Sequence, residues 1–380
     1  MKLLIAGDFA PRERVLEKIR LHSCSDVLAE IKPYTAQSDF SIVNLEAPIV
    51  IHSERSQPIP KVGPSLSAPP ESLDMLVEAG FNCLTLANNH IMDYGPSALD
   101  ETLSLLREKE LSSVGAGDNL DAAGTPLYLT KNAETIAIVN FCEHEFSIAG
   151  ENSPGAFPLD PVQNYRQIQE AKQHADHVVV IVHGGHEHFS YPSPRMVDTY
   201  RFFIDAGADA VVNHHQHCPC GYELYQGKPI FYGLGNFCID SPNRHGTTWC
   251  KGYFVMLELG SGTVRYSIVP YTQCDGEPLV HVLRGSDLEE FNAWLQNLNE
   301  AIADRDKLND IFSKYARTRT FEMLFRFSPY SGRICRYLRR KHLLPTGVNN
   351  RKALVLMNSI GCEAHRDVSL SVLQEFGKKG

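Results

Sequence analysis

Short apolar runs recur along roughly the first 270 residues, and nearly all of them stop at polar side chains of the same few kinds. "KLLIAGD" (2–8), "SDFSIVNLEAP" (38–48), "FNCLTLANNH" (81–90), "ETIAIVNFCEHEF" (134–146), "DHVVVIVHGGHEH" (176–188) and "DAVVNHHQH" (209–217) each read as a buried strand ending in carboxylate, amide or imidazole. Between them lie segments with apolar residues at helical spacing. "PPESLDMLVEAG" (69–80) opens on prolines and stops at Gly80, and "GPSALDETLSLLREKEL" (95–111), "VQNYRQIQEAKQHA" (162–175) and "PRMVDTYRFFIDAGA" (194–208) follow the same rule. Met75, Leu76, Phe202 and Phe203 on these helices are expected in the core. The alternation predicts an α/β domain whose ligand-binding residues gather at the carboxyl ends of its strands.

From about residue 228 the pattern changes: "KPIFYGLGNFCID", "KGYFVMLELG" and "TVRYSIVPYTQ" are strand-like runs separated by turn residues. They predict a mixed or second sheet. From Ser286 the chain turns helical, with apolar residues near i, i+3, i+4 spacing across 286–316, and "SGRICRYLRRKHLLP" (331–345) carries five Arg or Lys from Arg333 to Lys341. That basic helix is expected to be a solvated or partner-facing surface. The predicted division is a domain over 1–275 and a helical C-terminal extension over 286–380, which either closes one end of the domain or makes a homodimer.

Charge and cysteine usage narrow the function classes. With 45 acidic against 36 basic side chains the net charge is −9, which argues against a nucleic-acid footprint and leaves room for a small anionic substrate only where a cation supplies positive charge. The ten cysteines are scattered and sit mostly in apolar runs, so they are expected to be unpaired small hydrophobes in a reducing, cytoplasmic setting. The N-terminal apolar run is too short for a signal-peptide core, and no run approaches the roughly 20 residues of a membrane span. Cys218 and Cys220 lack the second pair of a structural zinc site and are expected to pack.

The strand ends are the informative feature. Asp8, then Asn44 with Glu46, then Asn88, Asn89 and His90, then His183, His186, Glu187 and His188, then His214, His215 and His217 present the same chemistry five times. One strand-end histidine is ordinarily a surface or capping residue. Five converging sets of oxygen and nitrogen donors suit divalent cations, and their number suits two ions that share a carboxylate and need about six or seven ligands.

"AGD" (6–8), "NLEAP" (44–48), "ANNHIMDYG" (87–95), "HGGHEHFSYPSP" (183–194), "DAGADAVVNHHQH" (205–217) and "GKPIFYGLGNF" (227–237) resemble, in order and spacing, the CapA-type capsule synthesis (PGA_cap) family, which belongs with the calcineurin-like metallophosphoesterases. The resemblance covers about residues 1–270. It implies a four-layer α/β/β/α sandwich of the metallo-dependent phosphatase type with two divalent ions (manganese, iron or zinc) at the strand ends. By position, Asp8 resembles a ligand of the first metal and Glu46 the bridging carboxylate. Asn89 and His183 resemble ligands of the second, and His215 and His217 supply one imidazole each. His90 resembles the catalytic group that steadies the oxyanion or protonates the leaving group. Two departures from the wider superfamily stand out: Asp8-Phe9-Ala10 replaces Asp-x-His, and Glu46 replaces a bridging Asp.

Weaker candidates for substrate contact are Glu143, His144, His186 and Glu187, with Asn236 in "LGNF" expected near the substrate or behind a metal-ligand histidine, and Asp93 and Tyr94 expected to hold His90. His214 is expected to face away from the site. The implied function is a metal-dependent hydrolase acting on a phosphoester or amide bond, with capsule or poly-γ-glutamate metabolism as the setting that the resemblance implies. Two other readings use the same residues: a metal-independent acid–base enzyme of the epimerase kind, and a non-catalytic binding module.

Overall fold

The structure is a computed structural model that describes residues 1–51, 56–260, 262–328, 330, 332–341 and 343–377. They form two compact units, Met1–Asn309 and Asp310–Gly380. In the first unit the leading strands are Lys2–Phe9 (β1), Phe40–Leu45 (β2), Cys83–Thr85 (β3) and Ser112–Val114 (β4). Leu127–Lys131 (β5), Glu134–Cys142 (β6), His177–His183 (β7), Ala210–His214 (β8), Tyr222–Tyr225 (β9) and Lys228–Phe231 (β10) follow, then Asn236–Cys238 (β11), Lys251–Gly260 (β12), Thr263–Gln273 (β13) and Val280–Val282 (β14).

One sheet has the order β14-β13-β12-β1-β2-β3-β4, with β11 also pairing β1; the other has the order β9-β10-β8-β7-β6-β5. The middle of each sheet is parallel, and antiparallel strands complete it. The change of character at residue 228 thus has a physical basis: β10 finishes the second sheet, and after "YGLG" the chain crosses to the first sheet as β11.

Alternation along the strands builds the layers. Leu3 and Ile5 of β1 meet Val179 and Ile181 of β7 in a core between the sheets. Leu4 and Ala6 face outward with residues of the helices Glu13–Arg20 (α1), Glu71–Glu78 (α2) and Gly95–Glu108 (α3). Val178, Val180 and Val182 face outward with residues of Pro161–His174 (α4) and Pro194–Asp205 (α5). The result is the four-layer α/β/β/α sandwich. Pro161 and Pro194 open their helices, capped by Asp160 and Ser193. Phe203 is buried, but Phe202 is 38 % exposed and stacks on Tyr165. Adjacent helical residues point about 100° apart, so both cannot face one core.

The helical pattern from 286 breaks at Asp304, whose Oδ1 accepts the N–H groups of Asp306 and Lys307. Gly285–Ala303 (α6) lies within the first unit, where Phe291, Leu295 and Leu298 join the core between the sheets. Arg305–Thr318 (α7) runs across the division between the units. The second unit contains the helices Thr320–Arg326, Gly332–Arg340, Asn350–Gly361 and Glu363–Gly377. The basic stretch is helical, and no described helix is long and apolar enough to cross a membrane. All ten cysteines are free, with Cys218 and Cys220 buried.

Candidate metal centre

Simple alternation along β1 would send Asp8 outward with Leu4 and Ala6. The β1–β2 register shifts between Ile5 and Asp8, so Phe9 takes the outward place in the core and Asp8 turns toward the space between the sheets. The residue before it must be glycine, because a Cβ on Gly7 would lie 2.0 Å from the carbonyl oxygen of Gly235. On β2, Asn44 donates from Nδ2 to Asp8 Oδ1 at 2.7 Å. Glu46 follows, its backbone N–H donating to the Phe9 carbonyl at 2.9 Å, and its side chain is fully buried.

The second sheet supplies the imidazoles. His183 continues the Val179–Ile181 face and reaches the top of the space between the sheets. His214 pairs with it in register on β8 and shares the face of Ala210 and Val212, so it also points inward, with Nδ1 3.3 Å from Asp8 Oδ1. The expectation that His214 faces away is therefore corrected: the strand runs through His214, and the turn comes one residue later. His188, His215 and His217 all have positive φ (62°, 90° and 56°), a concentration of backbone strain typical of functional loops. The turn lets the His215 backbone N–H donate to Asp8 Oδ2 at 3.0 Å.

The ligand atoms of Glu46, His183 and His215 lie within 4.8 Å of one another, as do those of Asp8, Glu46 and His217. Glu46 is common to both sets. Neither of its oxygens has a hydrogen-bond partner among the described residues, an arrangement that costs several kcal/mol unless a cation or proton answers it. Burial first, then Asp8 nearby, pushes the Glu46 carboxyl well above its usual range. At Asp8 burial is outweighed by His214, His183 and His217, which hold the carboxyl well below the usual range. Burial and the neighbouring His215 keep His183 well below an ordinary imidazole, and burial pushes His217 down to about 4. Neutral imidazoles beside two buried carboxylates are the donor set of a divalent cation, and the residues present fit one.

Around this cluster, Asn89 Oδ1 lies 2.9 Å from His183 Nε2. Asn88 bonds to Asn44 Oδ1 and the Leu45 carbonyl and accepts the His90 N–H. His90 Nδ1 is 2.7 Å from Asp93 Oδ2, and the buried Lys61 ammonium pairs with Asp93 and lies 3.1 Å from the same ring nitrogen. Asn236, fully buried, accepts at Oδ1 from His217 Nδ1 at 2.8 Å and donates to the His217 and Trp249 carbonyls.

A cleft of about 250 Å³ opens in front of Asn89, His90 and His217, and Glu187 lines it. Glu145 also lines it, rather than Glu143 or His144. Glu143 accepts the Gly185 N–H at 3.0 Å and pairs with Arg195, His144 is exposed, and His186 sits beside Phe189. Arg12, Lys61, Arg244 and Trp249 also line the cleft. They come from three separate connections, Arg244 and Trp249 sharing the one between β11 and β12, so no sequence signal marked them.

Residues 2–241 match the model of the family described as bacterial capsule synthesis protein PGA_cap. The capsule biosynthesis protein CapA of Bacillus anthracis is 32 % identical over 73 % of this chain and 69 % of its own length. The PGA biosynthesis protein CapA of Bacillus subtilis is 36 % identical over 68 % of each chain. Among solved structures, a phosphatase from Mycoplasma pneumoniae aligns with a TM-score of 0.43 and 18 % identity, covering 77 % of this chain and 98 % of that one.

Proposed function

The chain belongs to the bacterial capsule synthesis family PGA_cap, and from that premise we propose that it is a divalent-metal-dependent hydrolase acting on a phosphoester or amide bond in capsule or poly-γ-glutamate metabolism. The observation that carries the reading is the pair of ligand sets sharing Glu46, with both Glu46 oxygens otherwise unanswered. Asp8, Glu46 and His217 would hold one ion, and Glu46, His183 and His215 the other, with Asn89 beside His183. Ions so held supply Lewis-acid polarisation of a phosphoryl or carbonyl group and lower the pKa of water.

The chain's own residues supply the rest. Asp93 accepts from His90 Nδ1 and so orients the ring, leaving Nε2 for the substrate. With a proton on both ring nitrogens, His90 would steady the developing oxyanion or protonate the leaving group through Nε2. Asn44 and the His215 N–H orient the two oxygens of Asp8.

Elemental analysis of protein purified without chelator tests this. The wild type is expected to carry about two transition-metal ions per chain and His215→Ala clearly fewer. Manganese-loaded wild type should cleave a phosphodiester or γ-glutamyl amide that Glu46→Ala leaves intact. A wild type that takes up neither manganese nor zinc would overturn the proposal.

A further inference from the structure

Two arginines leave β1 together and meet different fates. Arg14 is fully engaged, with Nε and Nη2 each 2.8 Å from an oxygen of the buried Asp240. Arg12, two residues earlier, lines the cleft and has no carboxylate partner among the described residues. Between them Glu13 takes a left-handed backbone conformation, φ +46°.

Arg244 lines the same cleft and also has no carboxylate partner among the described residues. Its guanidinium lies over the Trp249 ring at 5.4 Å, with Nη2 3.3 Å from His188 Nε2. Trp249 is itself fixed, because its Nε1 donates to the Ile239 carbonyl and its ring lies 5.0 Å from that of His217. The His217 imidazole, the Trp249 indole and the Arg244 guanidinium thus follow one another in contact. The acidic groups of the cleft differ in kind: Glu145 lies 3.9 Å from His215 and Glu187 lies 3.9 Å from His188, so each already faces an imidazole. Neither guanidinium of the cleft has a carboxylate partner among the described residues, and guanidiniums are suited to planar oxyanions.

We propose that Arg12 and Arg244, which line the same cleft as His217, form an oxyanion subsite that binds a carboxylate or phosphate of the substrate beside the bond broken at the centre. The assignment rests on the hydrolase reading for the bond broken, whereas binding of the anion does not depend on it. The substrate class is therefore an acidic molecule with a second anionic group near the scissile linkage.

The chain has two tryptophans, Trp249 and Trp294, so in a Trp294→Phe background the emission reports on Trp249 alone. Chelator-treated protein is titrated with inorganic phosphate and, separately, γ-glutamylglutamate, and calorimetry reads the affinity independently of emission. Saturable binding that shifts Trp249 emission is expected, with Arg12→Gln and Arg244→Gln each weakening it by about tenfold. Arg265→Gln, a remote surface change, should leave it unaltered. The tighter probe distinguishes a carboxylate subsite from a phosphate one. Absence of saturable binding by both probes, or binding indifferent to both arginine variants, overturns the subsite whether or not the enzyme hydrolyses anything. Arginine-dependent binding by a protein that takes up no metal and cleaves neither substrate class upholds the subsite and removes the hydrolase reading.

Discussion

Asn236 touches His217 from behind, and the amide does two jobs: Oδ1 fixes the ring by accepting from Nδ1, and Nδ2 ties the backbone of the same histidine. Replacing it by alanine is expected to weaken manganese or zinc binding by about 10- to 100-fold, read by calorimetric titration of folded protein. Asn236→Asp keeps the acceptor and should recover most of the loss. Its place behind His217 matches one of the two expectations that "LGNF" carried. Asp8, Glu46, His183 and the two later histidines were legible because apolar alternation runs straight into them. His214 was misread because the turn that reverses side-chain direction falls after it, at a non-glycine residue with φ 90°, which no local propensity announces. Arg12, Lys61 and the Arg244–Trp249 segment were invisible because only the fold brings stretches so far apart in sequence to one cleft.

Among the elements, the second sheet is fastened at the end opposite His183 and His214. Asp209, just before β8, accepts the Val178 N–H at 3.0 Å, pairs with Lys228 Nζ at 3.0 Å and lies 3.5 Å from His177 Nδ1. It thereby gathers the starts of β7, β8 and β10. Burial alone would raise its carboxyl, but these contacts outweigh burial and bring it from 3.8 down to about 2. A carboxyl depressed in the folded state stabilises the fold above its unfolded pKa, and that contribution disappears as the pH falls from about 4 through about 2. Asp209→Asn is expected to cost about 1–3 kcal/mol at neutral pH and to flatten stability in that acid window, measured by urea denaturation across pH. The strands and helices themselves followed from periodicity. The division of "KPIFYGLGNFCID" between two sheets did not, since the crossing depends on Gly235 lying against Gly7, a contact across more than 200 residues of chain.

Across the whole molecule, α6 belongs to the unit that carries the centre. Phe291, Leu295 and Leu298 are buried in its core, each contributing roughly 1.5–3 kcal/mol. A chain ending at Asn309 is expected to remain soluble and to unfold cooperatively, whereas one ending at Gly285 should aggregate or melt at a clearly lower temperature, as size-exclusion chromatography and thermal scans would show. The register shift that turns Asp8 inward has a consequence at this scale too. Asp8 and Glu46 extend from one sheet, while His183, His215 and His217 extend from the other, so the layers of the sandwich meet at the centre with their ligands interleaved. A cation there is a rivet through both plates: at about one hundred times its dissociation constant it should add about 2.7 kcal/mol to the stability of the fold. Heating would then report on the metal, with a melting temperature that climbs with manganese concentration in the wild type and stays still in Glu46→Ala.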